Sequence, residues 1–506
     1  MKTLRALAIA LTLLAWSASA SSQEPFTAGT WTALKTAPPS PVGHMLLLTD
    51  GSVLVNSFFF TTHVDSWYRL IPSSTGSYIN GHWVNAGSAP AGYNPLYFAS
   101  EVLPSGQVVI IGGEYNNGST SGSNGWTTLG AQYNPHTNAW SSLAAPTGWT
   151  TVGDAQSVVL PNGKMMLANC CTTQQAILSS LSPVTWTTTG AGKFDINDEE
   201  GWTLLPSGKV LTVDAYVGSY SATGTNSEIY TPSTGTWVSA GSTIKQLWDS
   251  SNACGGSAAA SYEEGPGVLR PDGTVLWTGA NRCAAGHTAI YNIANGTWTA
   301  GPDFATGLDI ADGPAALLPD GNVLLDTSPK IFGTGSKFYE WDGTNMNLTT
   351  APPNAPLDSS YVANMVCLPT GQIMFTDFSS SVEIYTPSGT YQAAWQPTIT
   401  TVAATLTHGT NNNLITGTQF NGLSQCAAYG DDNQSATNWP LVRITNVGTG
   451  AVVYARTHTF STMGVATGSK SVSARFDVPA TITLGASTLE GVANGIPSAA
   501  VAVVID

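Results

Sequence analysis

The sequence predicts an all-β protein, a seven-bladed β-propeller followed by an immunoglobulin-like β-sandwich. Three observations carry that expectation. A short hairpin with a glycine turn is written seven times, each copy is followed by an aromatic strand and most by a further tryptophan strand, and both signatures stop at Trp395. The hairpin turns fall at Gly51 (LLLTDGSVLV), Gly106 (EVLPSGQVVI), Gly163 (VVLPNGKMML), Gly208 (TLLPSGKVLT), Gly273 (GVLRPDGTVLW), Gly321 (DGPAALLPDGNVLLD) and Gly371 (VCLPTGQIMF). Apolar alternation on both sides of an Asp-Gly or Ser-Gly turn is a strong hairpin signal. Successive turns lie 45 to 65 residues apart, the period of propeller blades rather than of helical solenoids.

Residues 1–20 read as an export signal. Lys2 and Arg5 form a basic start, Ala6 to Trp16 an apolar core, and Ala18-Ser19-Ala20 a small-residue cleavage site. No later apolar run is long enough to cross a bilayer as a helix, so no membrane span is expected and the chain is expected to be secreted, extracellular or periplasmic. Acidic residues number 31 against 16 basic, which excludes nucleic acid as a partner because phosphate recognition needs a basic surface. Only 9% of residues are charged while 42% are hydrophobic, a composition for many short strands and tight turns.

The propeller is expected over residues 21–395. After each hairpin comes text such as AQYNPHTNAW, EIYTPSTGTW or AIYNIANGTW, giving four strands per repeat. The Tyr and Trp of these strands are expected to pack between blades. The segment GTWTALKTAPPS near Thr30 is expected to complete the last blade and close the ring, leaving no open sheet edge. Residues 396–506 lack the hairpin-plus-Trp pattern and carry about seven alternating strands, the count of an immunoglobulin-like sandwich. Among six cysteines, Cys254 and Cys283 are expected to pair. Cys170 and Cys171 form either a vicinal disulfide or two buried thiols, Cys367 is expected simply to pack, and Cys426 is left open.

Counting nine residues back from each turn glycine should reach one ring at the mouth of the central channel. Those residues are Val42, Tyr97, Asp154, Glu199, Glu264, Asp312 and Val362, with Asp198, Glu200, Glu263 and Asp309 as further acids nearby. Carboxylates sharing one mouth repel and raise one another's pKa unless a cation neutralises them. Hard oxygen donors suit calcium, a carboxylate pair suits acid/base work on a glycan, and the same ring could bind sugar hydroxyls without chemistry. As plain structural groups, these acids would instead cap strand starts and bond loop amides. Tyr97, Asp154, Glu199, Glu264 and Asp312 are the expected ligand-binding residues.

With these features the chain resembles the galactose oxidase and copper radical oxidase family, secreted kelch-type propellers with an immunoglobulin-like domain. The resemblance implies an axial copper. It places Tyr97, in YFASEVLPSGQVVIIGG, at the cross-linked tyrosine, and Tyr361, in SYVANMVCLPTG, at the axial tyrosine. It places His458, in YARTHTFSTMG, at the histidine supplied by the C-terminal domain. Val362 stands where that family carries a second histidine, and PVGHMLLLTDG has Gly43 and His44 but no cysteine to cross-link. The copper set is incomplete, so copper is not expected. The leading expectation is recognition of an extracellular carbohydrate or protein ligand, with calcium as the compatible cofactor. The alternatives are a glycan-active enzyme, a degenerate metal oxidase using Tyr97, Tyr361 and His458, and a cell-surface or matrix scaffold without catalysis.

Overall fold

In the computed structural model, residues 26–58, 66–117, 125–216, 224–250 and 260–506 are described. The expected export signal and Cys254, the expected partner of Cys283, lie outside them. Among the described residues the regular structure is almost wholly strand, with short 3-10 turns at Ser360–Val362 and Ala393–Trp395.

Each repeat read from the sequence folds as its own antiparallel sheet, with strands in chain order. The first sheet spans 42–88, the second 99–142, the third 157–189, the fourth 203–242, the fifth 264–300 and the sixth 308–348. The seventh takes Asn364–Cys367, Ile373–Thr376 and Val382–Thr386, and its fourth strand is Thr30–Ala33 from the start of the described chain. Trp31 pairs with Tyr385 and Ala33 with Glu383, so the expected pairing of the chain's two distant segments is present. The first strands of the sheets lie against one another: second against third, fourth against fifth, fifth against sixth, sixth against seventh, and seventh against first.

All seven turn glycines have positive φ, from 76° at Gly51 to 90° at Gly321, and each donates its N–H to the carbonyl three residues earlier. A side chain in that conformation would be strained, which is why glycine holds this place in every copy. On the outer strands the aromatic signature becomes a latch. Tyr133 faces Trp140, Tyr230 faces Trp237 and Tyr291 faces Trp298 across neighbouring strands, with ring centroids 4.8, 5.3 and 5.1 Å apart. The indole N–H of each tryptophan then donates to the preceding sheet: Trp140 to the Ala86 carbonyl (2.9 Å), Trp237 to Gln175 Oε1 (2.6 Å) and Trp298 to Ser227 Oγ (2.9 Å). Trp83, Trp186 and Trp31 repeat the device on Thr36, Ala144 and Thr350.

Residues 398–505 form two further sheets that share a core including Ile415, Phe420, Val442, Val472, Phe476, Leu489 and Val503. One segment leaves these sheets and enters the ring of first strands. Its Ala427–Ala428 strand adds to the edge of the sixth sheet, Ala428 opposite Ala315 and Ala427 opposite Ala316.

The cysteines bear on this insertion. Cys367 was expected only to pack and Cys426 was left open, yet they form a disulfide. The reason is topological: the inserted segment brings Cys426 against the first strand of the seventh sheet, a contact between residues 59 apart that no local pattern announces. Cys170 and Cys171 form a vicinal disulfide.

Removing one aromatic latch should loosen two sheets at once. Trp298→Ala is expected to cost about 3–5 kcal/mol of stability, because the ring is buried between the fourth and fifth sheets. A denaturant midpoint within error of the parent would contradict the latch.

Candidate functional site

The inserted segment is fixed at every level of the ring. Gln425 Oε1 accepts from the Leu204 N–H (2.7 Å), and the Leu317 N–H donates to the Cys426 carbonyl (2.8 Å). The Ser100 hydroxyl donates to the Gln434 carbonyl (2.8 Å), Ser157 to Gln434 Oε1 (2.9 Å), and Ser435 to the Met365 carbonyl (2.9 Å). These partners stand on first strands of the second, third, fourth, sixth and seventh sheets, so the segment runs down the middle of the ring. His44 belongs to the same packing: its ring nitrogens bond Ser100 (2.8 Å) and Asn364 (3.3 Å), and burial lowers its pKa to about 4.

Where the segment turns, it sets Asp431 and Asp432 among acids from the sheets, both only 2% exposed. Glu199, Glu263 and Asp312 each offer an oxygen, all within 4.8 Å of one another. Asp154 and Asp198 lie equally close to each other, beside the Cys170–Cys171 disulfide, with Cys170 Sγ 3.4 Å from Asp198 Oδ1. Burial, followed by neighbouring carboxylates, raises the pKa values of Asp154, Glu199, Glu263, Asp312, Asp431 and Asp432. Asp198 is raised to about 6, and the largest charge effects on these seven come from other acids. Asp154 Oδ1, Glu263 Oε2, Asp312 Oδ1, Asp431 Oδ2 and Asp432 Oδ1 are buried without a hydrogen-bond partner. Each ionised carboxylate held this way costs several kcal/mol, so the cluster either keeps protons or takes up a cation.

The strand entries at this mouth are bent. Tyr97 (φ 52°), Glu199 (φ 59°) and Asp312 (φ 46°) all sit in the left-handed region, which non-glycine residues rarely adopt and which costs about 1–3 kcal/mol each. Three of the seven ring positions thus share one unusual backbone conformation that turns their side chains inward. Tyr97 stacks near Tyr429 of the inserted segment (6.5 Å between centroids) and lies edge-on to Tyr115 (6.2 Å). Tyr115, Tyr216, Tyr262 and Tyr361 are half-buried around the acids, with Tyr216 and Tyr262 stacked at 4.2 Å.

Of the residues named from the sequence, Tyr97, Asp154, Glu199 and Asp312 meet here. Glu264 does not. It is 1% exposed, and its Oε1 accepts from the Gly201 N–H (3.3 Å) and the Trp277 indole (3.2 Å) beneath the mouth. A register irregularity between Glu264 and Gly267 shifts the count at this strand, so Glu263 faces the cluster instead. Tyr361 is placed beside Tyr97 and Tyr429, whose hydroxyls donate to its carbonyl at 3.4 and 2.6 Å. His458 is elsewhere. It bonds Asp477 (3.2 Å) and Thr459 (2.8 Å), while its neighbours Thr457 and Thr459 donate to the Thr49 and Pro104 carbonyls beside the hairpin turns, at the far end of the first strands. Asp431 and Asp432 carry no strand pattern and were missed; their one signal is an acid pair in a C-terminal region otherwise poor in charge.

Comparison with protein-family models gives no match, and neither does comparison with curated protein sequences. Among solved structures, the chain is similar to a fungal alcohol oxidase of the AA5 family in complex with copper. The TM-score is 0.50 and the identity 13%, over 95% of this chain and 100% of that one. A streptogramin B lyase matches with a TM-score of 0.47 and 9% identity, over 71% of this chain and 98% of that one. A virginiamycin B lyase from Staphylococcus aureus gives 0.44 and 9%, over 71% and 98%. At 13% identity the oxidase likeness is one of all-β fold.

The raised carboxyls set a pH dependence. Asp198 holds its proton more tightly when folded, so its contribution to stability is full below about pH 4 and lost as pH rises through about 6. In metal-free protein, Asp198→Asn is expected to flatten the decline of melting temperature across that window. Parallel profiles for variant and parent would show that the shift is absent.

Proposed function

We propose that the seven sheets are blades of a kelch-type β-propeller over residues 21–395, and that residues 396–506 form an immunoglobulin-like domain. The chain is then an exported binding protein. It holds a hard divalent cation, calcium by its donors, at the acidic mouth and recognises a hydroxyl-rich extracellular ligand there, a carbohydrate. The disulfides are compatible with an extracellular setting.

The observation that carries this reading is Glu199, Glu263 and Asp312 with oxygens within 4.8 Å of one another, buried unpartnered oxygens on Glu263 and Asp312, and the charge of Asp431 from the inserted segment acting on them. Carboxylate oxygens from several strands are the donor set of calcium, which takes six to eight oxygens. A partly coordinated cation leaves positions for vicinal sugar hydroxyls, and the half-exposed Tyr115 and Tyr361 offer aromatic surface for stacking.

The likeness in fold to a copper-bound oxidase does not extend to donors. Copper(II) favours imidazole. Here His44 is committed to Ser100 and Asn364, His287 to Asp303 and His458 to Asp477, and among the described residues no histidine joins the carboxylates. The oxidase reading built on Tyr97, Tyr361 and His458 therefore lacks its ligand set. One observation favours a second reading. Asp154 and Asp198 lie within 4.8 Å with Asp198 near neutral pKa, a pair able to share a proton in glycan cleavage.

Calorimetric titration of chelated protein with calcium chloride tests the proposal. Asp431→Asn and Glu263→Gln are expected to weaken calcium binding at least tenfold and to abolish calcium-dependent retention on a glycan array. Glu264→Gln should keep both. Unchanged binding in Asp431→Asn removes the mouth as the site, and cleavage of a retained glycan would establish the second reading.

A further inference from the structure

The vicinal disulfide at the mouth has a setting that a staple for the fold would not need. A disulfide stabilises a chain by closing a loop, and one between adjacent residues closes none. Cys170 and Cys171 instead set two sulfurs against two carboxylates. Their Sγ atoms and one oxygen each of Asp154 and Asp198 all lie within 4.8 Å of one another. Cys170 Sγ is 3.4 Å from Asp198 Oδ1, a contact in which the bonded sulfur has no proton to donate. Asp154 Oδ1 is buried without a hydrogen-bond partner. None of these donors belongs to the trio of Glu199, Glu263 and Asp312.

The backbone holds the four donors together independently of the sulfur–sulfur bond. The Cys170 N–H donates to the Val152 carbonyl (2.9 Å), two residues before Asp154. The Cys171 N–H donates to the Asn197 carbonyl (3.0 Å), and the Asn197 N–H to the Thr172 carbonyl (2.7 Å), next to Asp198. The Asn197 side-chain amide adds bonds to the Thr172 and Gln174 carbonyls, and its oxygen accepts from Gln175 (2.6 Å). Gly153, at φ 73°, admits Cys170: a Cβ there would lie 2.8 Å from the Cys170 Cβ. Cys170 is 1% exposed, while Cys171, Asp154 and Asp198 are half-buried and give access from the mouth.

We propose that Cys170, Cys171, Asp154 and Asp198 form a site for a thiophilic divalent cation of zinc type once the disulfide is reduced. An external dithiol supplies the two electrons and two protons. Its thiolate attacks the half-buried Cys171 sulfur, the S–S bond breaks, and Cys170 leaves and takes up a proton. The second thiol of the reductant then releases Cys171 as a thiol and closes the reductant into its own disulfide. Metal binding sends both thiol protons to solvent. Two thiolates and two carboxylates make a four-coordinate zinc set, whose donors stand about 3.3–3.8 Å apart. Opening the bond lets the sulfurs separate to that spacing, while the tied backbone keeps the carboxylates in reach. The thiolates select such an ion over calcium. The disulfide state leaves Asp154 and Asp198 to the mouth; the dithiol state commits both to the metal.

The test is cadmium chloride titration of full-length protein in excess calcium, before and after reduction with a phosphine that does not chelate metal. Cadmium stands in for zinc because thiolate ligation gives it a sulfur-to-metal absorption band. Reduced parent is expected to take up one equivalent with that band, and oxidised parent to show no band. Bound cadmium or zinc should slow alkylation of Cys170 and Cys171 at least tenfold, read by peptide mass so that the other cysteines are counted apart. Asp154→Asn and Asp198→Asn should each weaken the equivalent at least tenfold, and joint Cys170→Ser and Cys171→Ser should abolish it. If the serine variant does not fold, the alkylation map of the parent decides alone. A mouth that binds no calcium leaves this result untouched, since the band reports sulfur only. The proposal is overturned if Cys170 and Cys171 stay unreduced in native protein, or if metal does not slow their alkylation. Parent affinity in both aspartate variants overturns it equally.

Discussion

The passage of residues 424–438 through the ring of first strands is the constraint on which the rest depends. Those strands bring apolar residues and a few hydroxyls to the middle, and something must satisfy the hydroxyls once they are buried. The inserted segment does so through Gln434 at Ser100 and Ser157, gives its own Ser435 hydroxyl to the Met365 carbonyl, and adds a strand to the sixth sheet. The Cys367–Cys426 disulfide ties it to the seventh sheet. Sheets far apart in sequence are thereby held to one central element, and the acids at the mouth acquire Asp431 and Asp432 as fixed neighbours.

Charge is scarce in this chain, and where it is buried it is concentrated. Beside the fourth sheet, the buried Lys193 ammonium answers four carboxylates, Asp195, Glu200, Asp214 and Glu228. The acids of the mouth have no such ion pair among the described residues. Raised pKa values and unpartnered oxygens at the mouth have one origin, burial of like charges beside one another.

Much of this was legible from residues alone. The seven turn glycines, the Tyr-Trp strand pairs and the return of Thr30–Ala33 to the last sheet follow from local rules: φ above zero, period-two alternation, and the need to cover sheet edges. Tyr97, Asp154, Glu199 and Asp312 followed from counting along strands in register. The count failed at Glu264 because an irregularity in one strand moves every later side chain to the other face. It failed for Cys367 because its partner arrives from a segment with no place in the repeat.

The sequence by itself determined what repeats: sheet number, strand order, turn chemistry and the rank of acids at the strand starts. These are set by interactions between residues close along the chain, so each copy carries its own instructions. Only the tertiary structure decided which acids meet, because that depends on contacts between different sheets, far beyond the reach of any local pattern. The trio of Glu199, Glu263 and Asp312, and the meeting of Cys426 with Cys367, exist through packing of sheet on sheet and of one segment down their middle.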